Sequence, residues 1–111
     1  MIRIAMLCTF AIFGANAATA QNIFGAGTIT CDDWSEFRNQ NLKDNQYQAQ
    51  AWIDGFISGS NLSRPNGPDI LVSRTGDEMY AWIDNYCKAK PRDRLVAAAW
   101  ALVKELQSKA K

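Results

Sequence analysis

The sequence predicts an all-α domain, a small bundle of about four helices stapled by one disulfide. Three observations lead to this fold class. After residue 30, apolar residues recur at three- and four-residue intervals along most of the chain. Thr30 and Thr75 each stand directly before such a stretch, where a helix N-cap is expected. Two cysteines, Cys31 and Cys87, lie in the first and the penultimate helical stretch and, if joined, would tie these two helices together.

Residues 1–20 have the three-part pattern of a secretory signal peptide. Arg3 supplies a positive charge, residues 4–13 are mainly apolar, and Ala18-Thr19-Ala20 forms a small-residue cleavage site before Gln21. The apolar run is too short to span a bilayer, which takes roughly 20 apolar residues. The sequence therefore predicts an exported protein that begins at Gln21 and has no contact with a membrane after cleavage. An uncleaved anchor or a buried helix is the alternative.

Cleavage at this position would remove Cys8 and leave two cysteines, Cys31 and Cys87. An even number of cysteines in a small exported domain favours a disulfide; two buried free thiols are the alternative. The chain has no histidine and no Cys-x-x-Cys motif. It therefore lacks the usual residues of a zinc site, a redox-active dithiol or a histidine-assisted nucleophile. We predict a protein that is not an enzyme and needs no metal or cofactor.

The length of the chain predicts one small domain, and its charge balance predicts no strongly basic surface. Arg3 would leave with the signal peptide, so eleven of the twelve basic residues remain to balance eleven acidic residues. This balance argues against nucleic acid as a partner. Residues 21–29 are rich in glycine and are predicted to form a flexible lead-in, and residues 30–111 a single helical domain.

Local start and stop signals place the four helices. The first is predicted from Cys31 to about Asn39, with acidic residues in its first turns. The second is predicted from about Asn45 to Asn61, and the loop at residues 62–74 contains two prolines and a glycine. Thr75 begins a capping box ahead of the third helix. Pro91 is expected to end that helix and to occupy the first turn of the fourth.

Three further expectations concern single segments. Ile70-Leu71-Val72 is predicted to form a short extended piece. Gly55 and Gly59 lie beside the apolar stripe of the second helix, where either another chain or helix approaches closely or Gly59 merely precedes the helix end. The hydrophobic core is predicted to centre on residues of three helices, namely Trp52, Phe56, Trp82, Tyr86, Leu95, Ala99, Leu102 and Val103.

Two groups of residues have side chains that could catalyse a reaction or bind a ligand, but a structural role is the alternative for both. Asp54 and Asp84 lie next to apolar stripes and could form a pair of catalytic carboxylates. A solvated face or a helix cap is favoured for them, because nothing in the sequence brings them together. The four tryptophans could line a ligand site, but at helical spacing they more often belong to a core.

The residues around the cysteines resemble a known family. Thr30-Cys31-Asp32-Asp33-Trp34 is similar to the start of the HdeA/HdeB periplasmic acid-stress chaperones, and residues 83–95, with Tyr86-Cys87-Lys88 followed by Pro91, are similar to the HdeB segment at its second cysteine. The resemblance covers about a third of the mature chain. It implies a homodimer at neutral pH that acid converts to monomers, whose exposed apolar surface then binds unfolded periplasmic proteins.

The middle of the chain resembles a different family. Residues 52–59 are similar to the glycine-flanked helix of Tai-type immunity proteins, which inhibit peptidoglycan amidase toxins delivered by rival bacteria. This resemblance implies one tightly bound enzyme as the partner. Under either family the partner is another protein. The residues predicted to contact it are the large apolar groups Trp34, Trp52, Phe56 and Trp100.

Overall fold

The structure is a computed structural model that describes residues 21–110, and the predicted signal peptide lies outside them. The all-α prediction is confirmed, since the described residues contain four α-helices, no strand and a single isolated bridge between Thr30 and Arg94. A short 3₁₀ helix precedes the four helices. The elements in chain order are the 3₁₀ helix Gly25–Thr28, α1 Cys31–Asn39, α2 Lys43–Leu62, α3 Gly76–Ala89 and α4 Leu95–Lys109.

Helix α1 begins at its predicted N-cap, Thr30, which forms a complete capping box with Asp33. The Thr30 hydroxyl accepts a hydrogen bond from the Asp33 N–H, and the Asp33 carboxylate accepts one from the Thr30 N–H, both at 3.1 Å. The N–H of Cys31 donates to the Asp93 carbonyl at 2.7 Å. Because the first amides of a helix have no partner within it, this contact ties the start of α1 to the loop between α3 and α4.

Helix α3 begins one residue after its predicted cap, and α4 begins later than predicted. The Thr75 hydroxyl accepts a hydrogen bond from the Glu78 N–H at 3.2 Å. The prediction that Pro91 occupies the first turn of α4 is wrong, because Pro91 lies in a turn and α4 starts at Leu95. The cause is a long-range contact: the Leu95 N–H donates to the Ile29 carbonyl at 2.8 Å, which fixes the start of α4 against the N-terminal segment.

The predicted disulfide is present between Cys31 and Cys87 and joins α1 to α3. The two Cα atoms are 4.7 Å apart, and both residues are fully buried. Around them lies one continuous apolar core that all four helices and the loop before α3 supply. Its buried members are Cys31, Trp34, Ala49, Ile53, Ile57, Ile70, Ile83, Cys87, Leu95, Ala98, Leu102, Val103 and Leu106.

The predicted core is only half right. The α4 positions are buried as predicted, namely Leu95, Ala99, Leu102 and Val103. The other four predicted core residues are half-buried and pack against the core from its edge, namely Trp52, Phe56, Trp82 and Tyr86. The smaller aliphatic residues between them on α2 and α3 occupy the centre instead, namely Ile53, Ile57 and Ile83.

Residues 25–28, which belong to the predicted lead-in, form the 3₁₀ helix and pack against α2 and α4. Two glycines allow this packing. Gly25 has φ +81°, a left-handed conformation that side chains rarely adopt. Gly27 is buried, and a Cβ atom there would overlap the ring of Trp52. The glycines that suggested flexibility therefore permit a close contact with α2.

The segment before α3 consists of turns, so the predicted extended piece at residues 70–72 is not present. The Asn61 side chain at the end of α2 organises these turns. It donates to the Asp69 carboxylate at 2.8 Å and accepts from the Ile70 N–H at 3.1 Å. The Leu71 N–H also donates to Asp69, at 2.9 Å. These bonds hold Ile70 in the core, where it is 5% exposed.

Candidate partner-binding surface

Three of the four residues predicted to contact a partner lie together on one surface. The ring of Trp52 stacks on that of Phe56, with centroids 5.3 Å apart and planes at 20°. Phe56 in turn meets Trp100 of α4 edge-on, at 6.2 Å and 82°. Trp52 and Phe56 are half-buried, whereas Trp100 is 51% exposed. We call these three residues the α2–α4 aromatic surface.

Contacts at its edges hold this surface in place. The Trp52 indole N–H donates to the Phe24 carbonyl at 2.8 Å, while the Phe24 side chain itself is 93% exposed. The Lys104 ammonium lies 5.7 Å from the ring centroid of Trp100, within range of a cation–π contact. The surface is thus a fixed apolar patch with one positive charge at its edge.

The fourth predicted residue, Trp34, lies elsewhere and is fully buried. It therefore contributes nothing to the exposed surface of the folded domain. Its indole N–H donates to the Asp84 carboxylate at 2.8 Å, across the α1–α3 interface. Arg38 donates to both oxygens of the same carboxylate, at 3.0 and 2.8 Å. The hydrogen bond with Asp84 is the main reason that the pKa of Arg38 is raised.

This cluster gives Asp84 a structural role, and Asp54 has different hydrogen-bond partners. The Asp54 carboxylate accepts hydrogen bonds from the Tyr80 hydroxyl at 2.7 and 2.8 Å, which join α2 to α3. A comparable bond runs from the Tyr86 hydroxyl to Asp93 at 2.6 Å. Burial, followed by that hydrogen bond, raises the pKa of Tyr86 to about 12. The two aspartates that suggested a catalytic pair thus accept hydrogen bonds from different partners in separate inter-helix contacts.

We expect Asp84→Ala to lower the free energy of unfolding by about 2–3 kcal/mol, measured by urea denaturation. Most of the loss comes from the buried Trp34 indole N–H, since an unpaired buried donor costs about 1–3 kcal/mol. The Arg38 pair adds at most about 1 kcal/mol, because both side chains are roughly one-third exposed. Asp84→Asn is the matched control and should lose less, since it keeps an acceptor. Equal losses in the two variants would contradict this account.

The α2 face beside the aromatic surface is open. Gly55 and Gly59 are both exposed, and a Cβ atom built on either would have no neighbour within 4 Å. Gly59 lies within α2, three residues before its last residue Leu62. No other helix of the described chain therefore packs on these glycines. Close approach of another helix of the same domain is therefore wrong, and close approach of another chain stays a prediction. The alternative, that Gly59 merely precedes the helix end, agrees with its position three residues before Leu62.

Concave sites on the described residues are shallow. A depression of about 270 Å³ lies between the ends of α2 and α4, and one of about 180 Å³ between α3 and α4. Over residues 21–110 there is no cluster of three acidic, cysteine or histidine side chains that could hold a metal ion. None of the helices described there is long and apolar enough to cross a membrane.

Sequence reasoning missed two features of this surface. Phe24 was assigned to a flexible lead-in, and its position beside Trp52 depends on the contact between the 3₁₀ helix and α2. Lys104 was given no role beside the aromatic residues, although it lies four residues after Trp100 on the same side of the helix. That spacing is the one local indication that the sequence offers.

Comparison with known proteins yields no relative. No protein-family model, no curated protein and no solved structure matches this chain.

Proposed function

We propose that this protein is a small, non-enzymatic periplasmic chaperone of the HdeA/HdeB type that binds unfolded proteins in acid. The observation that supports the proposal best is the α2–α4 aromatic surface. Its three rings lie at the edge of the buried core, and Trp52 contacts the backbone carbonyl of Phe24, whose side chain is 93% exposed. Exposed apolar groups of this size are the kind of surface that binds unfolded chains.

The charge balance supplies a trigger for such a chaperone. At neutral pH the eleven acidic residues balance the eleven basic residues that follow residue 20. Below about pH 3 the carboxylates, whose reference pKa values are near 4, lose their charge. The chain would then carry about +11, and self-repulsion of this kind destabilises compact and associated states. The disulfide between α1 and α3 would keep the opened chain partly together.

The chaperone proposal is tested by an aggregation assay with an unrelated acid-sensitive client, at pH 7 and at about pH 3, below the reference carboxylate values. We expect protection only at the lower pH, and weaker protection by Trp100→Ala, which removes the most exposed ring of the aromatic surface. Tyr47→Ala is the control, because Tyr47 is 74% exposed but stands apart from the surface. Absence of protection at both pH values would overturn the proposal.

Asp69 provides a local test of acid sensitivity. Hydrogen bonds from the Leu71 N–H and then the Asn61 side chain lower the pKa of Asp69. A depressed carboxylate pKa adds stability above the unfolded value, and this stability is lost as pH falls through the folded value. We therefore expect Asp69→Asn to be less stable than wild type near pH 7, with the difference in the midpoint of urea denaturation shrinking towards zero in acid.

The control for this comparison is Asp44→Asn, an exposed residue in the first turn of α2 that accepts no side-chain hydrogen bond among the described residues. Its difference from wild type should change less with pH. An Asp69→Asn difference that stays constant from pH 7 into acid would show that the two hydrogen bonds do not favour the charged carboxylate.

A second candidate is an inhibitor that resembles Tai-type immunity proteins and binds one folded enzyme at neutral pH. One observation favours it: the aromatic surface and the open α2 glycines are already accessible in the folded domain. Calorimetric titration against a peptidoglycan amidase toxin at pH 7 separates the two candidates. Tight one-to-one binding would support the inhibitor, and acid-dependent protection of unrelated clients would support the chaperone.

A further inference from the structure

The loop between α3 and α4 concentrates the positive charge of the chain, although the chain as a whole is nearly neutral. Of the eleven basic residues that follow residue 20, four lie within residues 88–94. A segment of seven residues spans at most about 25 Å, so these four cations lie close together. All four are exposed, and none forms an ion pair with another residue of the described chain. They are Lys88, Lys90, Arg92 and Arg94.

The backbone of this loop is fixed to the rest of the domain. The Cys31 N–H donates to the Asp93 carbonyl at 2.7 Å, and the Asp32 N–H donates to the Pro91 carbonyl at 2.9 Å. Cys31 is also joined by the disulfide to Cys87, directly before the loop. The four basic side chains therefore extend from a fixed backbone, and binding a partner through them needs little ordering of the loop.

Three carboxylates lie in or beside the loop and offset part of its charge. The Asp93 carboxylate accepts a hydrogen bond from the Tyr86 hydroxyl, and the Asp33 carboxylate accepts one within the capping box of α1. Both aspartates are half-buried, so Asp32 is the exposed one of the three. Glu36, the next acidic residue of α1, lies one turn further along that helix.

The remaining charge at this end of the domain is positive. Four cations and three carboxylates leave a net charge of +1. The first turn of α4 contains no acidic residue, so the positive end of that helix adds to the charge of the loop. Among the exposed side chains of the loop and the adjoining first turn of α1, four are cationic and one is anionic. A partner that approaches from solvent therefore meets mainly positive charge.

A pair of stacked aromatic rings borders the basic loop. The ring centroids of Trp82 and Tyr86 are 5.8 Å apart, with planes at 21°. The Lys90 ammonium lies 5.4 Å from the centroid of the Tyr86 ring. Tryptophan and tyrosine are enriched at membrane–water interfaces, and clusters of lysine and arginine are attracted to anionic lipids. This combination fits a lipid surface better than an acidic segment of a protein.

We propose that the α3–α4 loop, residues 88–94, binds the phosphate headgroups of an anionic lipid surface. The four exposed cations contact the headgroups, and Trp82 and Tyr86 lie beside them at the edge of the contact. The sequence-based prediction of no membrane contact concerns an apolar span, which a peripheral contact does not need. Neither a client nor a toxin takes part, so the contact is independent of the chaperone and inhibitor functions.

Co-sedimentation of the exported, disulfide-bonded protein with lipid vesicles at pH 7 tests the proposal. We expect binding to vesicles of equal parts phosphatidylglycerol and phosphatidylcholine at about 0.05 M salt, and weaker binding at about 0.5 M. Vesicles of phosphatidylcholine alone should bind at most weakly. The double variant Arg92→Gln/Arg94→Gln should bind the anionic vesicles at least about tenfold more weakly, since each cation near such a surface strengthens binding about fivefold.

The matched control is Arg64→Gln/Arg74→Gln, which removes the same charge from exposed positions in the loop before α3. That loop lies at the other end of α3, about 20 Å away at 1.5 Å per residue. Its loss of binding should be less than about twofold, because salt screens charges over such a distance. Circular dichroism verifies that both double variants remain folded.

Asp32→Asn adds a test in the opposite direction. It removes the exposed carboxylate beside the loop, so it should strengthen binding to the anionic vesicles. Inorganic phosphate should displace the protein no more than sodium chloride of equal ionic strength. Stronger displacement by phosphate would indicate a discrete phosphate site in place of a lipid surface and would overturn the proposal. Absence of binding to anionic vesicles at low salt, or equal weakening by the two arginine pairs, would overturn it as well.

Discussion

Trp34→Ala is expected to lower the free energy of unfolding by about 3–5 kcal/mol, the range typical of a buried tryptophan reduced to alanine. Trp34 is fully buried between α1 and α3, next to the disulfide. Its removal would leave a cavity in the core. It would also remove the indole N–H from the Asp84 carboxylate and the ring from beneath the Arg38 guanidinium. Urea denaturation at neutral pH measures the loss.

Two comparisons make this result specific. Trp34→Phe keeps most of the ring volume but loses the indole N–H, so its loss should be smaller than that of Trp34→Ala. Trp100→Ala removes the same side chain from a position that is 51% exposed. Its loss should be less than half of that at Trp34, because little apolar area leaves the core. A loss below about 1 kcal/mol for Trp34→Ala would show that the α1–α3 interface is packed differently.

Helix starts were predictable because they depend on neighbours in the sequence. The hydroxyls of Thr30 and Thr75 cap α1 and α3 through the N–H three residues later, a contact that the local spacing alone specifies. The bounds of α1 match the prediction, and α2 begins at Lys43, two residues before the predicted Asn45. The prediction of a disulfide between the two cysteines that follow residue 20 is likewise confirmed.

Positions that depend on contacts distant in the sequence could not be predicted. The conformation of residues 25–28 depends on Trp52, which is 24 or more residues away along the chain. The start of α4 depends on the carbonyl of Ile29. The first segment is rich in glycine and the second contains a proline, so both local sequences are typical of a loop. Their conformations are instead determined by packing against another element.

Periodicity also could not rank the tryptophans by burial. It places Trp34, Trp52 and Trp82 on apolar stripes equally well, yet only Trp34 is fully buried. The burial of each tryptophan depends on which neighbouring helix its apolar stripe packs against. Asp84 also gives the Trp34 indole a hydrogen-bond partner inside the α1–α3 interface. The meeting of Phe56 with Trp100 depends on α2 packing against α4, which the sequence does not specify.

Replacing both cysteines with alanine is expected to lower the free energy of unfolding by about 4 kcal/mol. The bond closes a loop of 56 residues, and a loop of this length gives about that value in the chain-entropy model. Small domains have total stabilities of about 5–15 kcal/mol, so the variant should be folded only marginally. Urea denaturation of the oxidised protein and of the Cys31→Ala/Cys87→Ala variant measures the difference.

The same model specifies how the loss should arise. Because the bond acts mainly on the unfolded chain, the variant should unfold to a more expanded state and show a steeper dependence of stability on urea.

Burial of the disulfide also predicts how fast the wild-type protein is reduced. Cys31 and Cys87 are both 0% exposed, and a thiolate must reach a sulfur atom to reduce the bond. Reduction of the disulfide should therefore be slow at neutral pH without denaturant and should accelerate sharply with urea. Alkylation of the released thiols and measurement of the protein mass give the rate. Reduction that proceeds equally fast with and without urea would show that the native domain opens readily at the α1–α3 interface.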